Sequence, residues 1–274
     1  MNRLILTIFV SSQVPRATSS MEKKFTEEGD FKYSEIGEGQ PIVILHGLMG
    51  GLSNFAGVAD FFPKQGYKVL IPELPIYELP LIKTNVKTFS DYLNSFLSFK
   101  KIDNAILLGN SLGGHIGLVF AKNHPELVKG LVLAGSSGLY ENSMGESYPK
   151  RGDYEYIKTK AQEVFFDPDV ASKEIVDEVF EVVNDRNKLI RTLAIAKSAI
   201  RHNMAKDLPT MHIPTGLIWG ENDKVTPPNV ADEFHKLLPD SDLYWIKECG
   251  HAPMMEHPDT FNEKLLEWLK KRNF

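Results

Sequence analysis

An α/β fold built on a mostly parallel sheet is what the sequence predicts, and three observations predict it. Six short, mostly apolar runs recur along the chain, each bounded by Gly, Pro or polar residues. Their residues do not alternate apolar with polar, as strands buried on both faces need not. Segments of helical period lie between them, and strands alternating with helices imply right-handed crossovers and helices on both faces of the sheet.

The runs are 42–45, 67–71, 105–108, 131–134, 216–219 and 243–246. The first is opened by Gly37-Glu38-Gly39-Gln40-Pro41, which reads as a turn. Thr88-Phe89-Ser90-Asp91 resembles a capping box and predicts a helix with Phe89, Leu93, Phe96 and Leu97 on one face. A helix over 112–122 follows the 105–108 run. Pro258 fits the first turn of a last helix whose apolar face is Phe261, Leu265, Trp268 and Leu269.

Between 138 and 209 the alternation stops. Asp153 can cap a helix reaching Phe165, Ser172 one reaching Val183, and 187–203 reads as a third. Some seventy residues without a strand are too many for a loop in a compact domain. They predict a helical lid over 138–209, inserted between core segments 21–137 and 210–274. Lys and Arg in this stretch are scattered among acids, which reads as a solvated helix face.

Composition sets the outer limits. Of 274 residues, 42% are hydrophobic and 24% charged, which excludes a collagen, a coiled coil and a largely disordered chain. A net charge of −5 argues against nucleic acid as a partner. Cys249 stands alone, so neither an internal disulfide nor a cysteine zinc cluster is expected. Residues 1–20 carry one short apolar run and read as a poorly ordered extension before Met21, or as a weak export signal. Cytoplasmic residence is the expectation, with export as the alternative if 1–20 act as a signal. No run approaches the roughly 18 apolar residues that span a bilayer, so no stable membrane insertion is expected.

The strongest chemical signal is Gly109-Asn110-Ser111-Leu112-Gly113-Gly114, a G-x-S-x-G pattern between a strand and a helix. It is the pattern of a nucleophile elbow, a tight turn that presents a serine oxygen. Side chains at Gly109 and Gly113 would collide with the neighbouring strand and helix. Ser111 then lies at a helix N-terminus, where free N–H groups favour developing negative charge.

A serine hydroxyl needs a base. Of eight histidines, His251 follows the run 243–246 in Cys249-Gly250-His251-Ala252-Pro253, at the sheet's top edge. His115 lies on the elbow helix and points away from the serine oxygen. His124, His235 and His257 fall on helix surfaces or ends, and His202 and His212 lie at the exit of the 138–209 stretch.

The third member should be an acid after an earlier strand, and Gly220-Glu221-Asn222-Asp223 supplies Asp223. Glu221 and Glu248 compete with it; the first stands closer to the strand end, and the second adjoins His251 in sequence. His46-Gly47-Leu48-Met49-Gly50-Gly51 follows the run 42–45. Leu112 N–H and Leu48 N–H are the expected oxyanion donors, with His46 fixing the loop. There is neither an H-E-x-x-H nor a phosphate-binding G-x-x-x-x-G-K-[ST], and no metal or other cofactor is expected.

Taken in order, His46-Gly47, Gly109 to Gly113, Asp223 and Gly250-His251 resemble the α/β-hydrolase fold over 31–269. Within it the chain is similar to the lidded esterases and carbon–carbon bond hydrolases. The resemblance implies a Ser111–His251–Asp223 triad, an acyl-enzyme intermediate and no cofactor. The chain departs from the carbon–carbon hydrolases at His251-Ala252-Pro253, where they carry Gly-His-Trp. Serine at the elbow disfavours the haloalkane dehalogenases and epoxide hydrolases, which carry Asp there. The expected substrate is a small to medium carboxylic ester. The alternatives are a carbon–carbon or thioester bond, or a slow-turnover ligand-binding protein on the same fold. Oligomeric state is left open.

Overall fold

The computed structural model describes residues 25–50, 54–142 and 149–274; residues 1–20 lie outside these. The described residues form eight strands and nine α-helices. In chain order they are β1 (Thr26–Glu28), β2 (Phe31–Ile36), β3 (Gln40–Leu45), α1 (Ala56–Phe61), β4 (Tyr67–Pro72), α2 (Val86–Lys100), β5 (Ala105–Asn110), α3 (Leu112–Asn123) and β6 (Val128–Ala134). There follow α4 (Tyr154–Gln162), α5 (Lys173–Asn184), α6 (Arg186–Arg201), β7 (Thr215–Gly220), α7 (Pro228–Leu237), β8 (Ser241–Ile246), α8 (Pro253–Glu256) and α9 (Pro258–Lys271).

All eight strands join one sheet in the order β1-β2-β4-β3-β5-β6-β7-β8. From β4 to β8 every pairing is parallel, as the apolar runs predict. Residues of β5 are buried throughout, as are those of β7. The antiparallel hairpin β1–β2 and its antiparallel pairing with β4 lie outside the apolar runs that mark the other strands. β1 is exposed and β2 only partly covered, so their charged residues hide the strand pattern.

Register sets the position of the site. Leu45 pairs with Gly109, Asn110 with Ala134, Ala134 with Ile218, and Gly220 with Ile246. The carboxyl ends of five strands therefore finish along one edge, and the loops after them converge there. In open α/β sheets this edge is where ligands bind.

Helix α2 corrects one expectation. It begins at Val86, and its cap is Asn85, whose side chain accepts from Thr88 N–H at 3.0 Å. Thr88 is thus in the first turn and does not cap it. Between β6 and β7 the described residues hold three α-helices and no strand. Asp153 and Ser172 cap α4 and α5 as their positions suggest, whereas α6 is capped by Asp185, which accepts from Asn187 and Lys188 N–H. Ile157, Val176, Val179 and Val183 of α4 and α5 pack in the same core cluster as β3 and α9. Ile195 and Ala199 of α6 join the cluster on the other side, with α2 and α3.

The elbow glycines are fixed by close packing. A Cβ on Gly109 would stand 2.4 Å from the backbone of Gly113, and one on Gly113 only 1.9 Å from Leu45 O. Both obstacles are backbone and cannot swing aside. Gly113→Ala is therefore expected to destabilise the fold by about 3 kcal/mol or more. Gly152→Ala, with nothing within 4 Å of its Cβ, should stay within about 0.5 kcal/mol of the parent. Urea melts of the two variants side by side check this.

Candidate active site

Ser111 joins β5 to α3 with φ 53° and ψ −120°. Its N–H donates to Ala134 O at 3.3 Å, and its own carbonyl accepts from His115 and Ser137 N–H. Of the five non-glycine residues with positive φ among those described, three stand in the loops at this edge: Met49, Ser111 and Glu248. Such backbone costs on the order of 1–3 kcal/mol per residue and persists where surrounding packing enforces it. Here the enforcing contacts are those that close the glycine spacing around the elbow.

Asp223 and His251 are brought together. His251 Nδ1 stands 2.9 Å from Asp223 Oδ2, and both residues are buried. The carboxylate is fully engaged. Oδ1 accepts from Val225 N–H at 2.8 Å and Thr226 N–H at 2.9 Å, while Oδ2 also accepts from Thr226 Oγ1 at 2.8 Å. The competing acids Glu221 and Glu248 are exposed, and Glu248 offers its backbone oxygen to His257. Burial alone would hold His251 neutral. The Asp223 charge and hydrogen bond, with Glu141 adding to them, outweigh it and raise its pKa above the ordinary imidazole value.

With Nδ1 committed to Asp223, His251 Nε2 has no hydrogen-bond partner among the described residues. Ser111 Oγ thus forms no hydrogen bond with it in this structure. Catalytic hydrogen bonds often tighten only once substrate is bound.

Leu48 stands in the loop after β3, and Leu112 opens α3. Neither backbone N–H donates to a described residue. The Leu112 donor follows from its place as first residue of α3, where no carbonyl one turn earlier is available. His46 holds the Leu48 loop: Nδ1 donates to Gly47 O at 2.9 Å, and Nε2 accepts from Leu74 N–H at 3.0 Å. That imidazole is a strut between two loops. A cavity of about 430 Å³ adjoins this loop, with Met49, Phe55, Ile76, Tyr77 and Glu178 among its lining residues. Tyr154, Phe165, Phe166, Leu189 and Leu193, side chains between β6 and β7 that could wall an acyl pocket or equally form the core of that segment, do not line it. Phe165 and Leu189 are buried in the core, Tyr154 packs on Phe180, Phe166 is exposed, and Leu193 faces a separate surface groove.

The other histidines are placed elsewhere. His115 is buried on α3 with its ring edge-on to His202, and burial lowers its pKa to about 4. His235 bonds to Ser241 Oγ on the surface. Among the described residues there is no group of three or more His, Cys, Asp or Glu that could hold a metal ion.

Three polar residues escape sequence reasoning. Asn110 Nδ2 donates to Ala134 O at 2.8 Å and to His251 O at 3.0 Å, tying the elbow to the histidine loop. Thr226 Oγ1 donates to Asp223, as above. Glu256 accepts from Gly250 N–H with one oxygen and from Phe166 and Asp167 N–H with the other. His251 N–H itself donates to Val164 O at 2.9 Å, and a Cβ on Gly250 would meet that oxygen at 2.6 Å. The turn after α4 therefore presses directly on the histidine loop.

Comparison with known proteins agrees with this fold. A family model described as alpha/beta hydrolase fold matches residues 40–175. MGS-MChE2, an alpha/beta hydrolase enzyme from the metagenome of lagoon sediments at Mar Chica, Morocco, is 59% identical in sequence. The match covers 91% of this chain and 99% of that one, with a TM-score of 0.77. A 2-hydroxy-6-oxononadienedioate/2-hydroxy-6-oxononatrienedioate hydrolase of Pseudomonas sp. is 27% identical over 95% of this chain and 100% of its own. Lipase 3 of Moraxella sp. (strain TA144) is 27% identical over 82% of this chain and 76% of its own. These relatives are hydrolases. With its mostly parallel sheet and strained strand-to-helix elbow, and on the strength of these matches, the chain belongs to the α/β-hydrolase fold superfamily.

Proposed function

We propose that the protein is a serine hydrolase of small to medium carboxylic esters. Ser111 attacks the acyl carbon while His251 Nε2 takes its proton, and Asp223 holds the imidazole in the required tautomer. The oxyanion that forms is met by the N–H groups of Leu48 and Leu112. The same histidine then protonates the leaving alcohol. Water repeats the sequence on the acyl-enzyme. The helices between β6 and β7 act as the lid over this edge.

The observation that carries the reading is the buried Asp223–His251 pair with its outer nitrogen uncommitted. A general base with a raised pKa, beside a serine in a strained elbow, suits acyl transfer. The relatives divide between carbon–carbon bond hydrolases and lipases. Ala252 after Gly250-His251, in place of the Trp of Gly-His-Trp, favours the ester reading. A turnover screen of p-nitrophenyl esters of graded acyl length, beside a vinylogous diketone acid, tests it. Ester hydrolysis at rates well above diketone cleavage is the expected result; cleavage of the diketone alone would overturn it.

The pH dependence follows from the histidine. His251 works as a base only when neutral, so activity should be lost as pH falls through its pKa. Because Asp223 raises that pKa, the rising limb of kcat/KM for an uncharged ester should have its midpoint above about 6.5, the ordinary imidazole value. The profile is read by initial rates across a buffer series. A midpoint well below that value would mean that another group is being titrated.

A further inference from the structure

Charge between β6 and β7 is segregated by helix, which a reading of the stretch as mixed does not reveal. α5 carries Glu174, Asp177, Glu178 and Glu181 against the single Lys173. α6 carries Arg186, Lys188, Arg191, Lys197 and Arg201 and no acid. Residues 79–90 add Lys83 and Lys87, again without an acid. In a chain of net charge −5 this is a local reversal of sign.

The two basic segments are docked side by side. Arg191 Nε donates to Leu79 O at 3.0 Å, and Val86 N–H donates to Ser198 Oγ at 3.2 Å. α6 buries Leu189, Thr192, Ile195 and Ala199. Its opposite stripe, Ile190, Ala194, Lys197 and Arg201, lines a surface groove of about 900 Å³ shared with Leu81. Lys188 is paired with Glu181, but Lys83, Lys197 and Arg201 form no ion pair with a described residue. Asp207, the acid in the groove, is paired with Lys122 at 2.6 Å.

Apolar side chains protrude among these cations. Ile82 is 89% exposed, Ile200 50%, Leu81 47% and Ile190 38%. They are four of the seven large hydrophobic residues left exposed in the described chain. Single exposed hydrophobics are ordinary, but a cluster rimmed by unpaired cations marks an interaction surface.

We propose that this face docks reversibly on an anionic lipid bilayer. Leu81, Ile82 and Ile190 enter the headgroup–acyl boundary, and Lys83, Lys197 and Arg201 meet lipid phosphates. The charge complementarity selects an anionic partner. The near-complete exposure of Ile82, on the crest of the short 3₁₀ turn Leu81–Lys83, selects a lipid over an acidic peptide, which would gain little from a protruding isoleucine. Docking is peripheral, since no helix of the described residues is long and apolar enough to cross a membrane.

The test is co-sedimentation of the full chain with vesicles of phosphatidylcholine alone or mixed equally with phosphatidylglycerol. Binding to the anionic vesicles only, and its loss in high salt, is the expected result. The triple variant K83Q/K197Q/R201Q should partition on the order of 100-fold more weakly. Ile82→Ser should weaken binding at every salt concentration. These side chains are exposed, so circular dichroism should be unchanged. No preference for anionic vesicles, or a triple variant that binds like the parent, would overturn the proposal. So would displacement by polyglutamate with no effect of Ile82→Ser, which would assign the face to an acidic polymer.

Discussion

Ser111→Ala is expected to abolish labelling by a fluorophosphonate and to lower kcat on the best ester by on the order of 10⁶-fold. The size of the loss follows from how the elbow is built. Ser111 stands alone at the N-terminus of α3 with φ 53°. Its neighbours Asn110 and Leu112 cannot substitute, the first being engaged with Ala134 and His251 backbone and the second lacking a nucleophile. Alanine occupies the same backbone without adding bulk, so thermal stability should change little and the loss is chemical. Intact-mass spectrometry after labelling gives a clear reading. A Ser111→Ala protein that still takes up one fluorophosphonate would place the nucleophile elsewhere.

Asp223→Asn should keep the fold and lower kcat by up to about 10⁴-fold. The cause lies in the four hydrogen bonds that the carboxylate accepts. An amide has one oxygen to offer. It must face the Val225 and Thr226 N–H groups, since the opposite orientation would set donors against donors in a buried site. That turns the NH₂ group toward His251 Nδ1, which must then accept, and the imidazole proton moves to Nε2. In that tautomer the ring cannot receive the serine proton. The variant should also shift the rising limb of its pH profile downward, because burial then acts on His251 without the opposing charge. A mild Asp223→Asn beside a crippling Glu221→Gln or Glu248→Gln would mean that the acid is one of the exposed competitors.

Legibility in the sequence tracked burial and separation along the chain. β3, β5, β6 and β7 are buried on both faces, and an apolar run bounded by turn residues is enough to find such strands. β1 and β2 are half in water at the sheet's edge, so Glu27, Glu28, Lys32 and Glu35 mask them. The start of α2 is ambiguous in the sequence because Asn85, a cap before a buried Val86, sits beside a second cap-like stretch at Thr88. At the site, the elbow and the histidine loop carry local glycine patterns and could be read directly. Asn110 and Glu256 could not, because their partners lie 141 residues away at His251 and 90 away at Phe166. Nothing local announces such contacts.

The Glu256 carboxylate joins the turn after α4 to Gly250, with His251 N–H bonded to Val164 O beside it. A single small seam thus ties the segment between β6 and β7 to the loop that carries His251. The β6–β7 segment is consequently not a free module to be exchanged by recombination. A graft that brought new helices but no carbonyl where Val164 stands, and no amide pair where Phe166 and Asp167 stand, would release the histidine loop as well. Changes in this segment that keep the fold of the histidine loop are then constrained to side-chain replacements that leave the Val164 carbonyl and the Phe166 and Asp167 amides in place.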